Sequence, residues 1–407
     1  MQADFDLLIV GGGMVGASLA RALSGLGLRI GVVEAYALDN HSQPSFDDRV
    51  IALSWGSRLI LQGIGVWPAM ATASEPIQRI HISDRGHFGF THLDHLDEGV
   101  EALGYVVTAR AMGEVLQRDL AEQPEIEFIC PARLTSFRVE PDLVRVDLRQ
   151  GESAKQISAR LLVAADGGDS QVRQLLSIPL REREYGQTAI IANLTASRPQ
   201  EGIAYERFTD SGPLAMLPMT EDRISMVWSA RDDQVERLMA RGDAGFLEDL
   251  QTRFGYRLGR FESIGRRFAY PLRLRQATEQ VRPRVALIGN AAHTIHPVTG
   301  QGFNLGLRDV AVLAELISDA ARLRQDPGDM SLLQRYAQWR SRDQNAVATI
   351  TDTLARLFAN PLGPLRVARN LGLLGLDGLP SLKHLVARQF MGINGRLPRL
   401  GRGVSLD

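Results

Sequence analysis

The chain has 407 residues, 44% apolar and 23% charged, with a formal net charge of −1. That length suits two or three domains, and the composition excludes disordered, collagen-like and fibrous chains. The near-neutral charge leaves no footprint for nucleic acid, and the single cysteine, Cys130, excludes an intramolecular disulfide or a cysteine-cluster metal site.

One cysteine also suits a reducing compartment. The first apolar run, residues 5–10, is short and has no basic leader before it, so no secretory signal is expected. No stretch reaches the roughly 18 apolar residues of a membrane span. Only Lys155 and Lys383 are lysines, which limits any lysine-dependent chemistry to two candidates.

In chain order, the N-terminus reads as strand (5–10), glycine turn, helix (14–26) and strand (29–34), a βαβ unit on a parallel sheet. Residues 105–125 predict a helix. Residues 133–140 and 143–148 alternate with period two around Pro141-Asp142 and predict a hairpin. A buried strand at 161–165 follows. Strand-like segments at 188–194, 214–219 and 224–229 predict an antiparallel sheet, hence a second unit of α+β type. The chain then returns to the first unit with a buried strand at 284–288 and helices over 302–323 and 331–357. From residue 354 the tail is rich in leucine, glycine and proline. Across 353–406 it carries eight Lys and Arg side chains against Asp377.

Gly11-Gly12-Gly13-Met14-Val15-Gly16 fits G-x-G-x-x-G between strand and helix. Gly11 permits the turn, Gly13 lets backbone approach a pyrophosphate, and Gly16 lets helix and strand pack closely. Glu34, 23 residues after Gly11, ends the next strand, where a carboxylate accepts both hydroxyls of an adenosine ribose. This motif alone does not separate FAD from NAD.

Two later motifs do. Asp166-Gly167-Gly168 follows a strand and opens a helix, and Asp166 alone reads equally well as a helix cap. Residues 289–309 run from a strand end through small residues into a helix near Gly302. Asn290 there is placed to meet a polyol. The helix N-terminus carries about half a positive charge, which suits the N1–C2=O edge of a reduced flavin.

Together the three motifs resemble those of the FAD-dependent aromatic hydroxylases, the para-hydroxybenzoate hydroxylase-like monooxygenases. The resemblance implies an α/β fold. Its core is a Rossmann-like FAD-binding domain of glutathione-reductase type, discontinuous over 1–75, 105–180 and 271–350. An α+β substrate domain of mainly antiparallel sheet (76–104 and 181–270) is inserted, and a helical, basic segment (351–407) follows. It further implies that Gly11, Gly13, Gly16 and Glu34 hold the ADP half and that Arg49 lies along the cofactor. Asp166 and Gly167 would serve both FAD and a visiting NAD(P)H. Asn290, Gly300, Gln301, Gly302, Phe303 and Asn304 would hold the ribityl chain and ring, although the family often has aspartate where this chain has Asn290.

Asp48-Arg49 with residues 50–54, Ile64 to Trp67, Ser83-Asp84-Arg85-Gly86-His87, Tyr205 to Phe208 and Gly212 to Pro218 narrow the resemblance to the ubiquinone-biosynthesis hydroxylases. The branch they resemble most is that of the 2-octaprenyl-6-methoxyphenol hydroxylases. The activity implied is monooxygenation of a polyprenylated phenol with O2, through a C4a-hydroperoxyflavin, with a sister ring position as the alternative. A ubiquinone-biosynthesis complex and a cytoplasmic location, peripheral at the inner face of the membrane, are implied with it. Pro297 would border the space between flavin and substrate, and His293 and His296 are candidate proton carriers.

Other readings compete. The His81, His87, His92 and His95 group matches no metal-ligand spacing. Met216, Met219 and Met226 read as core rather than as a prenyl pocket. The basic tail reads equally as a membrane-surface helix or a cap on the FAD domain, and its removal from about Asn360 is expected to weaken vesicle binding while FAD stays. A flavin halogenase is disfavoured, because Trp55, Trp67, Trp228 and Trp339 are far apart and neither lysine lies in a flavin motif. A prenyl reductase or a non-catalytic lipid carrier would keep the same nucleotide fold.

Overall fold

The structure, a computed structural model, describes residues 3–37, 49–295, 300–359, 370, 372, 375 and 377–406, with residues 354–359 as backbone only. Five parallel strands run through the first, eight-stranded sheet. Their spatial order is Ile126–Ile129, Ile30–Val33, Phe5–Val10, Ser153–Ala164 and Val285–Leu287. Counted along the chain this is 3-2-1-4-5, so strand order reverses beside Phe5–Val10, where such sheets bind ligands. These strands are apolar runs because helices or further strands cover both of their faces. Leu7 and Ile9 pack with helices Met14–Leu23 and Gln301–Arg322 on one face, and Leu8 and Val10 pack under Val144, Val146 and Leu162 on the other.

Arg133–Val139 and Val144–Gln150 pair antiparallel, and the second pairs with the outer half of Ser153–Ala164. The helix expected over 105–125 starts only at Ala109; Gly104–Thr108 is a strand. Tyr105-Val106-Val107-Thr108 is a β-branched and aromatic run, and it pairs with Val50–Ser54 and Ser74–Ile77 in a small sheet.

The largest sheet is mainly antiparallel. Its path runs His293–Thr294, Phe268–Ala277, Leu180–Ala196, Ile224–Arg231, Gly212–Pro218, Ile203–Thr209, Arg79–Asp84 and Phe90–Asp94. One face lies under helices Asp232–Ala240 and Asp243–Phe254, where Trp228, Phe246, Met216 and Met226 are fully buried. Both methionines are therefore core, as is Met219 beside Ile77 and Val106. The opposite face meets the small sheet: Ala204, Ile80 and Leu217 pack against Val50 and Val106.

The tail is not a detachable appendage. Met391 O accepts from Gly56 N at 2.8 Å, and Leu400 is buried in the main core. Arg399 pairs with Asp319, Lys383 with Asp97, and Arg396 lies over the Trp339 ring. Removing it from Asn360 would open the core beside the parallel sheet, so that truncation does not isolate a membrane role. Among the described residues no helix is long and apolar enough to cross a membrane.

Candidate cofactor and active site

Gly11 ends strand Phe5–Val10 with φ +103°, where L side chains are strained. A Cβ there would stand 2.4 Å from the Ala165 carbonyl oxygen, and one at Gly16 would stand 1.9 Å from that of Gly11. Strand, turn and helix close together only without side chains at these two places. Gly13 is the N-cap of helix Met14–Leu23 and supplies no side-chain cap, which leaves the helix N-terminus to an anion. Glu34, 5% exposed, accepts from Gly12 N at 2.7 Å and from Tyr36 N at 2.9 Å. Each carboxylate oxygen keeps a second lone pair, as a ribose diol requires.

Asp166 follows strand Ser153–Ala164. Its Oδ2 accepts from Val172 N at 3.2 Å, while Ser170 is the N-cap residue of helix Gln171–Leu175. Asp166 Oδ1 is buried and has no hydrogen-bond partner, and burial holds this carboxyl above its ordinary pKa. Such an atom calls for a donor, and a ligand hydroxyl would supply one. Gly167 lies next in the turn with open space on its Cβ side. Arg173, 3% exposed, donates to Gly168 O at 2.9 Å and to Ala291 O at 3.0 Å. It thereby ties the Asp166 loop to the loop of Asn290, whose side chain is exposed in the turn Gly289–Ala291.

His293 and helix Gln301–Arg322 are joined through Asp309. Its Oδ2 lies 2.6 Å from His293 Nε2 and accepts from Gly289 N at 3.0 Å. Its Oδ1 accepts from Arg340 Nε at 2.6 Å and Gln344 Nε2 at 2.8 Å. Burial opposes ionisation of Asp309, yet His293 and Arg340 outweigh it and hold the carboxyl well below its ordinary range. His293 is thus a positioning residue. Arg173, Asp309, Arg340 and Gln344 do this fastening, and their spacing in sequence gave no sign of it.

Gly300 is the N-cap of helix Gln301–Arg322 at φ +63°, with no side-chain cap. A Cβ there would stand 3.0 Å from Ala52 Cβ. Asn304 Oδ1 accepts from Ser54 N, and its Nδ2 donates to Ala52 O and Gly300 O, each at 2.8 Å. Its side chain therefore shapes the cradle by fastening strand Val50–Ser54. Gln301 donates to Phe390 O at 3.0 Å and accepts from Arg308. Gly302 and Phe303 are half-buried in the first turn. The Arg49 guanidinium lies 4.9 Å from the centre of the Tyr270 ring. His296 and Pro297 lie outside the described residues.

Over this cradle stands the open face of the large sheet. One row across it reads Phe268, Ile191, Val227, Ala215, Glu206, Ile82 and Thr91 by strand register. Ile191, Val227, Ala215, Glu206 and Ile82 are all half-buried, whereas the helix-covered face is closed. Apart from Glu206 and Thr91 the roof is thus apolar, and it is only half closed. On the other face His81 Nδ1 and His92 Nε2 share a 2.7 Å hydrogen bond, and no group of three metal-ligating side chains occurs among the described residues.

The residues fit FAD: an uncapped helix end at Gly13, a buried diol acceptor at Glu34, an unpaired Asp166 oxygen and a second uncapped helix end at Gly300. With an apolar roof above them, they define an FAD-dependent monooxygenase. The comparisons agree. The model of the FAD binding domain family matches residues 4–351. Ubiquinone hydroxylase UbiL of Rhodospirillum rubrum is 40% identical over 404 residues, covering 98% of this chain and 93% of that protein. The 3-demethoxyubiquinol 3-hydroxylase of Escherichia coli is 32% identical, covering 95% and 98%. In fold, p-nitrophenol 4-monooxygenase PnpA from Pseudomonas putida superposes with a TM-score of 0.81 at 18% identity, covering 97% of this chain and all of that one. The chain belongs to the ubiquinone-biosynthesis FAD hydroxylase family.

Proposed function

We propose that the protein hydroxylates the aromatic ring of a polyprenylated phenol in ubiquinone biosynthesis, converting 2-polyprenyl-6-methoxyphenol into 2-polyprenyl-6-methoxy-1,4-benzoquinol. One O2 supplies the new hydroxyl oxygen and one water, and NAD(P)H supplies the two electrons. FAD, when bound, carries those electrons and activates the oxygen. Gly11, Gly13, Gly16 and Glu34 hold the ADP half, with Arg49 along it. Asp166 and Gly167 meet the hydroxyls between the halves, and Asn290 meets the ribityl chain. The backbone of Gly300 to Asn304 presents the helix end to the ring, and Pro297 borders the substrate.

The observation that carries this reading is the half-open row over the cradle, apolar save for Glu206 and Thr91, which suits a greasy ring and limits water at the reacting centre. The names of the two relatives, a ubiquinone hydroxylase and a 3-demethoxyubiquinol 3-hydroxylase, support the substrate class. Tail residues Leu379, Leu382 and Leu385 and the nearby Leu96 are exposed and support a peripheral contact with the membrane that holds such a substrate.

Quinone-intermediate profiling of a strain without this chain tests the reading. Accumulated 2-polyprenyl-6-methoxyphenol supports it; a later, methylated intermediate would move the activity to a sister ring position. A product heavier by hydrogens and not by oxygen would make the enzyme a prenyl reductase.

A further inference from the structure

A phenol becomes reactive toward an electrophilic oxygen as its proton leaves, so a hydroxylase of phenols needs an acceptor beside the ring. His293 Nε2 is engaged by Asp309, and both lysines are paired: Lys155 with Glu127 and Lys383 with Asp97. The open face of the large sheet offers another group. In its row of seven register-matched residues, Glu206 alone is ionisable. Ala215 and Ile82 flank it on the neighbouring strands, and Ala204 and Phe208 flank it along its own. The sheet face is the one that Ala204, Ile80 and Leu217 press against Val50, the strand that Asn304 fastens to the cradle. Helix Met330–Ala359 contacts the same two strands, Ile203–Thr209 and Gly212–Pro218, and closes that side.

Glu206 has no hydrogen bond or ion pair among the described residues. Four described ionisable groups on the surrounding elements have partners of their own. Asp84, one row along, accepts from Asn370 at 3.0 Å, and Glu75 accepts from Gln200 at 3.3 Å. Arg49 stacks on Tyr270, and Asp352 is held by Arg183 and Tyr185. A half-buried carboxylate with no partner among the described residues, set in an otherwise apolar stretch of sheet, is expensive to keep without a use.

We propose that Glu206 is the base that takes the phenol proton of the substrate, an inference that rests on the hydroxylase reading above. The O–H bond breaks, its electron pair stays on the phenol oxygen and enriches the ring carbons ortho and para to it, and the proton passes to a Glu206 carboxylate oxygen. When the hydroxylated ring carbon loses its hydrogen as a proton to solvent water and the ring rearomatises, Glu206 returns its own proton to the phenol oxygen. Burial, with no opposing charge, pushes the Glu206 carboxyl up to about 7, where a base is half ionised under working conditions and strong enough to act.

The test compares the FAD-loaded wild type with Glu206→Gln and Glu206→Asp. Flavin absorbance in each reports an intact fold. Wild-type kcat/KM for a short-chain prenylated methoxyphenol is expected to rise with pH through about 7. Glu206→Gln is expected to lose about 100-fold or more and to flatten that rise, and Glu206→Asp to recover part of both. A second readout needs no turnover: 2-methoxy-4-nitrophenol, whose colour reports its ionisation, is titrated on the oxidised holoenzyme. The bound probe should ionise at higher pH on the wild type than on Glu206→Gln, because an ionised carboxylate beside it disfavours the phenolate. An unchanged acid limb, identical probe titrations, or a probe that binds neither protein overturns the proposal. If the wild type hydroxylates no prenylated phenol, the hydroxylase reading fails on its own, and the probe titration still decides the role of Glu206.

Discussion

His293 Nε2 and Asp309 Oδ2 lie 2.6 Å apart, both side chains buried, and through them the loop after strand Val285–Leu287 is fastened to helix Gln301–Arg322. Arg340 reaches the other Asp309 oxygen from helix Met330–Ala359, so one carboxylate locks three elements around the cradle. Asp309→Ala would leave the Arg340 charge buried beside an emptied site, at a cost of about 3–5 kcal/mol. Urea unfolding at neutral pH should show that loss as a lower midpoint, with Asp309→Asn falling between.

The same carboxylate predicts acid behaviour. Its native pKa lies below the ordinary 3.8, so below that value the unfolded chain binds protons that the native chain refuses. The stabilisation is therefore complete above about pH 4 and is lost as pH falls further. Acid titration of the wild type followed by near-ultraviolet circular dichroism, compared with Asp309→Asn, checks it. The wild-type advantage should shrink steadily below pH 4, and a constant difference would contradict it.

A methyl group at Gly16 has nowhere to go, since its Cβ would stand 1.9 Å from Gly11 O. Gly16→Ala must push helix Met14–Leu23 off strand Phe5–Val10, costing about 1–3 kcal/mol and moving the helix N-terminus away from the pyrophosphate. The purified variant should carry much less flavin than the wild type. The ratio of visible to ultraviolet absorbance measures this directly; a full flavin complement would show that the close approach is dispensable.

The turn at Gly11 and the close approach at Gly16 were legible because each answers a local steric demand. The strand at Gly104–Thr108 was not, because helical spacing in 105–125 outweighed a β-branched run whose partners, Val50–Ser54 and Ser74–Ile77, lie far back in sequence. Asp309 and Arg340 were illegible for a similar reason. Each sits inside an amphipathic helix where a charge normally faces solvent, and only packing of the two helices buries the pair. Asn304 was read as a flavin contact. Its hydrogen bonds, however, all go to backbone groups of the cradle.

Asp166 sets cofactor binding against stability. Burial raises its pKa, so the native state prefers the protonated form and loses stability as pH rises from the ordinary 3.8 through the raised native value. At neutral pH the ionised group is a burden that Val172 N relieves in part and a bound ligand hydroxyl would relieve further. Asp166→Asn keeps an oxygen for Val172 N and removes the charge, so flavin-free protein should melt higher than flavin-free wild type. FAD should bind the variant more weakly. Thermal melts of the stripped proteins and fluorescence titration with FAD measure the two effects, and a variant that gains or loses both together would refute this account.

The tail offers a cleaner membrane test than truncation. Leu382 and Leu385 lie on helix Pro380–Phe390, 45% and 55% exposed, beside Leu96 at 75%. Ion pairs from Lys383 to Asp97 and His384 to Glu98 hold this helix against the turn that carries Leu96. Because Lys383 is already paired, apolar embedding and not charge should dominate any membrane contact. Each leucine entering the lipid boundary contributes about 1–2 kcal/mol. Leu382→Ser with Leu385→Ser should therefore lower co-flotation with phospholipid vesicles about tenfold or more. Neither side chain belongs to a core cluster, so bound flavin and melting temperature should stay at wild-type values. Equal flotation of both proteins would remove these leucines from the membrane contact, and flotation that falls with added salt in both would return that role to the arginines of the tail.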